Sequence, residues 1–235
     1  MGVKTAAAFL FDMDGTLIDS SRAMQRVWGR WARRHGLDAA ALLPTVHGVR
    51  ALDTMRRLDL PGLDPFVEAR VIEHEEVEDV DGVVPIAGAR EFLTALPPER
   101  WTVVTSAPRS LARARLSAAR LPIPDTLVSG EDVAEGKPAP DCWLLGAKRL
   151  GWDVANCLVF EDSAAGIRSA IAAGAGLVVI ASAQAHASLP DLAALFTVTD
   201  YQQLELTVGL DRLRLEPRRI VADEAAAPRP AIARS

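Results

Sequence analysis

The chain has 235 residues, 49% of them hydrophobic, and its 26 Lys and Arg against 31 Asp and Glu give a formal net charge of −5. That length suits one large domain or one domain carrying an insert, and the acidic balance argues against nucleic acid as the main partner. No run of about 18 apolar residues exists, so no membrane span is expected.

The first stretch, "MGVKTAAAFLFDMDG", has a short apolar run that ends in acids, without a signal-peptide cleavage pattern. It also lacks the Ser or Thr that a myristoylation signal needs. Its apolar run (6–11) predicts a strand that breaks into "DMDGTLIDS" (12–20). Strand alternation puts Asp12 and Asp14 on one side. Two carboxylates that close repel unless a cation lies between them or one keeps a proton. The plainer reading is that Asp14-Gly15 is turn vocabulary.

Residues 22–85 contain no convincing strand. Amphipathic segments at 22–35, 49–60 and 65–81, with Gly and Pro between them, predict a small helical insert entered near 19–22 and left near 82–88. After it, apolar runs recur at 101–106, 126–130, 157–162, 176–182 and 195–200. Most are continuous rather than alternating, as in strands buried on both faces of a parallel sheet. Helical patterns lie between them: "PRSLARARLSAARL", "DCWLLGAKRLG" and "SAAGIRSAIAAGAG". The alternation predicts a doubly wound α/β sheet. Cys142 and Cys157 read as small buried apolar residues of a reducing compartment, and a cytoplasmic protein is expected. Residues 216–235, rich in proline and scattered charge, read as a disordered tail. A monomer is the default.

The carboxyl ends of strands in such a sheet form the ligand crevice. There this sequence gathers Asp12, Asp14 and Thr16 after the first run, Thr105 and Ser106 after the second, and Glu161 and Asp162 after the fourth. Lys137 lies in "EGKPAPD" after the third. Carboxylates, hydroxyls and one ammonium at one edge make a site for a metal and a phosphate. The four histidines, His35, His47, His74 and His186, have no metal-ligand spacing and receive no role. Arg22, Arg26, Arg30 and Arg33 read as a solvated helix face, and Asp19 as a cap for the helix that follows it.

"DMDGTLIDS", "VVTSAP", "GKPAPD" and "VFEDSAAGI" resemble, in order, the four motifs of the haloacid dehalogenase superfamily, and the helical insert falls where that family carries its cap. The resemblance spans about residues 6 to 205. It implies a Rossmann-like core over 1–21 and 86–215 and a helical cap domain over 22–85. "HGVRALDTMRRL" and "GKPAPDCWLLGAKRLG" are similar to the glycerol-3-phosphate and 2-deoxyglucose-6-phosphate phosphatases, in the subgroup that includes β-phosphoglucomutase.

By this resemblance Asp12 is the nucleophile that forms an aspartyl-phosphate, and Asp14 is the acid/base. Mg²⁺ is held by Asp12, the Asp14 carbonyl and Asp162, with Glu161 behind them. Ser106, Lys137 and Thr16 bind the phosphoryl group. Arg50 is expected to close over Asp12 and set specificity, with Glu73 and Glu76 as further candidates for binding hydroxyls. The cap is expected to move on hinges at 19–22 and 85–88, and Lys137-Pro138 to be cis. The substrate expected is a small sugar or polyol phosphate.

The nearest alternative, a β-phosphoglucomutase-like phosphomutase, shares all four motifs. Met24 stands where that mutase has a cap histidine, however, and residues 22–85 hold no lysine. The missing lysine also excludes a phosphonatase, and Asp14 argues against a true haloacid dehalogenase. A phosphoacceptor signalling module or a silent binding protein on this fold remains as the non-enzymatic alternative.

Overall fold

Most of the apolar runs become strands in the computed structural model, which describes residues 4–181 and 196–218. In chain order, β1 (Lys4–Ala6), β2 (Ala8–Phe11) and β3 (Ile18–Asp19) precede four helices: α1 (Ser21–Arg34), α2 (Ala39–Leu42), α3 (Ala51–Leu58) and α4 (Pro65–Glu78). Then come β4 (Val84–Pro85), α5 (Ala89–Thr94), β5 (Trp101–Val103), α6 (Arg109–Ala118) and α7 (Asp141–Arg149). The chain continues through β6 (Cys157–Glu161), α8 (Ala164–Ala173), β7 (Gly176–Ile180), β8 (Phe196–Val198), β9 (Leu204–Val208) and β10 (Leu213–Pro217).

The main sheet has the order β5-β2-β6-β7-β8, and all of its pairs are parallel. Phe9 of β2 lies between Trp101 of β5 and Leu158 of β6. Alternation divides β2 between two cores. Phe9 and Phe11 pack with Phe92, Leu116 and Phe160 on one face, while Ala8 and Leu10 pack with Trp143, Val159 and Ile167 on the other. Burial of both faces explains why the run is continuously apolar. The strand order reverses about β2, which puts a ligand crevice at its carboxyl end.

The helical cap has an apolar cluster of its own, including Val27, Trp28, Trp31, Leu42, Met55 and Ile72. Its helices start on local signals. The Asp38 carboxylate accepts from the Ala40 amide, and Asp64 accepts from Phe66 and Val67 with Pro65 in the first turn. Arg26 and Arg30 of α1 pair with Asp79, and Arg30 and Arg34 pair with Glu75. Where the chain enters and leaves the cap, β3 and β4 pair antiparallel, with Ile18 opposite Pro85. Asp19 accepts from the Ser21 amide and hydroxyl, a capping role as expected. Among the described residues no helix is long and apolar enough to cross a membrane.

Two expectations change. Residues 126–130 form no strand; Val128 makes one parallel bridge to Val104. Pro122 and Pro124 remove donors just upstream, and Asp132 pulls the chain into a turn by accepting from the Ser129 amide and hydroxyl at 2.7 and 2.8 Å. The supposed tail begins inside a strand, because Glu216 and Pro217 pair with Glu205 and Leu204 of β9, and β1 completes this three-stranded antiparallel sheet. The rest of that stretch, from 219, lies outside the described residues, as does the end of the 176–182 run. Helix α5 was not anticipated from the sequence.

Asp132 also receives Arg149 at 2.9 Å and Arg109 at 2.6 Å. Burial opposes its ionisation, but the hydrogen bonds from Arg149 and Ser129 hold its carboxyl well below the usual range. A depressed folded pKa stabilises above the unfolded value of about 3.9 and loses that contribution as pH falls through the folded value. Asp132→Asn is therefore expected to cost about 1–2 kcal/mol at neutral pH. In urea unfolding followed against pH, the gap to the parent should shrink below about pH 4.

Candidate active site

The end of β2 sets the first carboxylate. The Asp12 amide donates to the Phe160 carbonyl at 2.9 Å, which extends the β2–β6 register by one residue. Gly15 then turns the chain at φ 86°, and a Cβ there would collide with the Asp162 carboxylate. Only glycine lets the turn pass so close to that acid.

Asp12, Glu161 and Asp162 are all buried, and they offer carboxylate oxygens within 4.8 Å of one another. Lys137, 3% exposed, puts its Nζ at 2.5 Å from Asp12 Oδ1 and 2.8 Å from Glu161 Oε1. The same Nζ lies 4.5 Å from the centre of the Trp143 ring. The Lys137-Pro138 bond is cis. Burial alone would pull the Lys137 pKa down, but Asp12 and Glu161 more than offset it, and the ammonium stays charged. Burial, with Glu161 and Asp162 adding to it, pushes the Asp12 carboxyl well above the usual range against the pull of Lys137. Two of the three carboxylates, Asp12 and Glu161, thus share one ammonium, and the third, Asp162, faces His47.

Glu161 is held rigidly. Its Oε2 accepts from the amides of Asp162 and Ser163, both at 2.6 Å, and its Oε1 accepts from Lys137. Its oxygens are committed to the protein. Thr16 differs from expectation. Its hydroxyl donates to Asp162 Oδ1 at 3.0 Å with no exposed surface, so it orients that acid rather than facing a phosphate. The Ser106 hydroxyl reaches the cap, donating to the Gly48 carbonyl at 3.0 Å, and Ser106 lines the cavity beside Asp12 and Asp14. The Asp14 carboxylate accepts at Oδ1 from Ser20 at 2.6 Å and from Arg115 at 3.0 Å.

Arg50 also departs from expectation. Its Nε and Nη2 fork onto Asp53 at 2.6 and 3.0 Å, and its Nη1 donates to the carbonyls of Val133 and Ala134, each at 3.1 Å. It clasps the cap to the core segment that leads to Lys137. Asp53 neutralises it, and it does not line the cavity onto which Asp12 and Asp14 open.

Two residues escaped the sequence reading. His47 sets its Nε2 at 2.7 Å from Asp162 Oδ2. Burial opposes its charge, but Asp162 outweighs burial and raises its pKa to about 9. The short spacing in "HGVR" resembles no ligand pattern, because its partner lies 115 residues downstream. Arg115 of α6 bridges Asp14 and cap Glu76, with both contacts at 3.0 Å. In the sequence it is one arginine of several in an amphipathic helix. Glu73 and Glu76 line the same cavity as Asp12 and Asp14.

A site of this kind, at the switch point of a parallel sheet and roofed by helices, is that of a capped α/β enzyme. Residues 6–174 match the family model of the haloacid dehalogenase-like hydrolases, and the chain belongs to that family. It is 40% identical over 176 residues to hexitol phosphatase A of Escherichia coli, covering 73% of this chain and 82% of that enzyme. It is 32% identical over 189 residues to glycerol-1-phosphate phosphohydrolase 1 of Saccharomyces cerevisiae, covering 74% of each. A hydrolase from Pseudomonas syringae superposes with a TM-score of 0.71 at 25% identity, over 83% of this chain and 94% of that one. The sugar- and polyol-phosphate phosphatase group expected from the motifs is where the two named enzymes fall.

Proposed function

We propose that the protein is a Mg²⁺-dependent phosphatase that hydrolyses small phosphorylated sugars or polyols through an aspartyl-phosphate. The observation that carries this reading is Asp12, paired with Lys137 at 2.5 Å and opening with Asp14 onto one cavity beneath the cap. The donor set suits a hard cation: three buried carboxylates, against which the chain sets the Lys137 ammonium and the His47 imidazole. Asp12, Asp162 and the Asp14 carbonyl would hold it, the ion taking the place that His47 has on Asp162 Oδ2, while Glu161 stays with Lys137 and two amides. When bound, Mg²⁺ supplies charge that lets an anionic nucleophile meet an anionic phosphate.

The chain's own groups do the rest. Asp12 attacks phosphorus. Asp14 gives a proton to the leaving oxygen, then takes one from the water that hydrolyses the acyl phosphate. Lys137 pairs with Asp12 and a phosphoryl oxygen, and Ser106, on releasing the Gly48 carbonyl, donates to another. Thr16 holds Asp162 in position. The division into a core (1–21 and 86–215) and a cap (22–85) that hinges at 19–22 and 85–88 accounts for substrate entry.

The cap wall supports a substrate whose sugar or polyol portion is neutral and bears hydroxyls. It brings the carboxylate of Glu73 and the ring of Trp28 to the cavity, with Glu76 beside them engaged by Arg115 and the Trp28 indole. Burial raises the Glu73 pKa, and nearby Glu131 and Glu76 raise it further, which marks a surplus of acid there. Carboxylates accept from substrate hydroxyls and repel a second anionic group. Hydrolysis of hexitol, glycerol and 2-deoxyglucose monophosphates, measured with Mg²⁺ and with EDTA, tests the reading. Absence of Mg²⁺-dependent phosphate release from all of them would defeat it. Glu73→Gln is expected to improve kcat/KM roughly tenfold for a sugar bisphosphate relative to the monophosphate, by removing like-charge repulsion. An unchanged ratio would take Glu73 out of substrate selection. No observation favours the phosphomutase: Met24 lines the cavity where that enzyme has a histidine.

A further inference from the structure

We propose that Arg115 is a positioning residue that makes the orientation of Asp14 depend on the seating of cap helix α4, with Glu76 as its partner on the cap. The inference rests on the phosphatase reading, in which Asp14 is the proton donor.

Arg115 belongs to the core helix α6, is 4% exposed, and lies where α4 packs on α6. Its Nη1 donates to Asp14 Oδ1 and its Nη2 to Glu76 Oε1, each at 3.0 Å. Glu76 is itself fixed from within the cap, because Oε1 also accepts from the Trp28 indole at 3.2 Å. The hydroxyl of Ser20, the last residue before α1, reaches the same Asp14 oxygen as Arg115, at 2.6 Å. Both donors to the Asp14 side chain therefore converge on Oδ1, and Oδ2 accepts no hydrogen bond among the described residues. Asp14 and Arg115 both line the cavity. Oδ2 is the oxygen left to carry a proton towards substrate.

A guanidinium beside a lone carboxylate tends to chelate both oxygens in parallel. Glu76 prevents this by claiming Nη2, so Arg115 gives Asp14 a single bond. With α4 lifted away, Nη2 loses its acceptor and both forks can close on Asp14, which ties up the oxygen the reaction needs. The acid/base would then be aligned only under a seated cap.

The consequence is selective for leaving group. As the P–O bond breaks, its electron pair stays on the ester oxygen, and the proton on Asp14 Oδ2 passes to that oxygen. An alkoxide needs that proton, whereas p-nitrophenolate is stable without it. The experiment measures kcat and KM for glycerol 3-phosphate and p-nitrophenyl phosphate with the parent, Glu76→Ala, Glu76→Gln and Arg115→Lys, alongside thermal midpoints.

For Glu76→Ala we expect the kcat ratio of the alkyl to the aryl ester to fall by roughly 10²-fold, within the range that general-acid catalysis supplies. Glu76→Gln, whose amide oxygen still accepts from Nη2, should recover most of that ratio. Arg115→Lys, which cannot fork, should lower it. Equal losses on both esters, or failure of Glu76→Gln to recover more of the ratio than Glu76→Ala, would overturn the proposal in favour of a packing role. Should Arg115→Lys fail to fold, the two Glu76 variants still decide. Absence of turnover of either ester by the parent would instead defeat the phosphatase reading itself, before any variant is compared.

Discussion

Asp12→Asn is expected to abolish turnover while leaving the protein folded, with a thermal midpoint equal to or above that of the parent. The loss follows from chemistry, since an amide is a poor nucleophile towards phosphorus, and removing a nucleophile typically costs several orders of magnitude. The retained stability follows from charge. Asp12, Glu161 and Asp162 bring their oxygens within 4.8 Å of one another, with Lys137 pairing the first two and His47 the third. Replacing one of three carboxylates by a neutral group of the same shape relieves repulsion, and its carbonyl can still accept from Lys137. Phosphate release and calorimetry on the same preparation measure both halves. Near-normal turnover would remove Asp12 from the chemistry, and a collapse of the fold would show that its charge holds the structure together.

Lys137→Met should behave in the opposite way, losing both activity and stability. The apolar stem of methionine fits beside Trp143, but Asp12 and Glu161 lose the donor that lies 2.5 and 2.8 Å away. Breaking one side of a buried ion pair typically costs about 3–5 kcal/mol, because it strands the remaining charge. Activity should fall by at least 10²-fold, in line with the loss of one preorganised donor to a developing oxyanion. The sharper check is a double-mutant cycle. Asp12→Asn should restore part of the stability lost in Lys137→Met, since the two changes share one charge cluster. Simple additivity would mean that Lys137 acts through packing alone.

The parts of the site that could be read in the sequence are those that the sheet itself assembles. Asp12, Asp14, Glu161 and Asp162 follow apolar strands directly, so their meeting is dictated once the runs are taken as parallel strands. Lys137 joins them from the loop before α7. The seam between cap and core was not legible. Thr16 turned out to hold Asp162, Arg50 to fork onto Asp53, and His47 to reach Asp162, because each outcome depends on a partner that no local pattern identifies. Arg115 and Glu76 are 39 positions apart and meet only through the docking of α4 on α6. The antiparallel sheet of β1, β9 and β10 was missed for a different reason. Its strands are short and only partly buried, so charged and apolar residues mix in them as they do in loops.

Two glycines lie on the seam between cap and core. A methyl group on Gly48 of the cap would run into Ser163 of the core, and one on Gly136 of the core into the Arg50–Asp53 pair of the cap at 2.6 and 2.8 Å. At these points the clearance between the two halves is less than one carbon atom. Fit there is a matter of machining rather than of attraction: any side chain would act as a shim, holding the roof ajar by its own thickness. The tolerance of the joint is thus written in side chains the chain leaves out. Along that line a single added methyl would disturb closure more than the loss of an exposed ion pair.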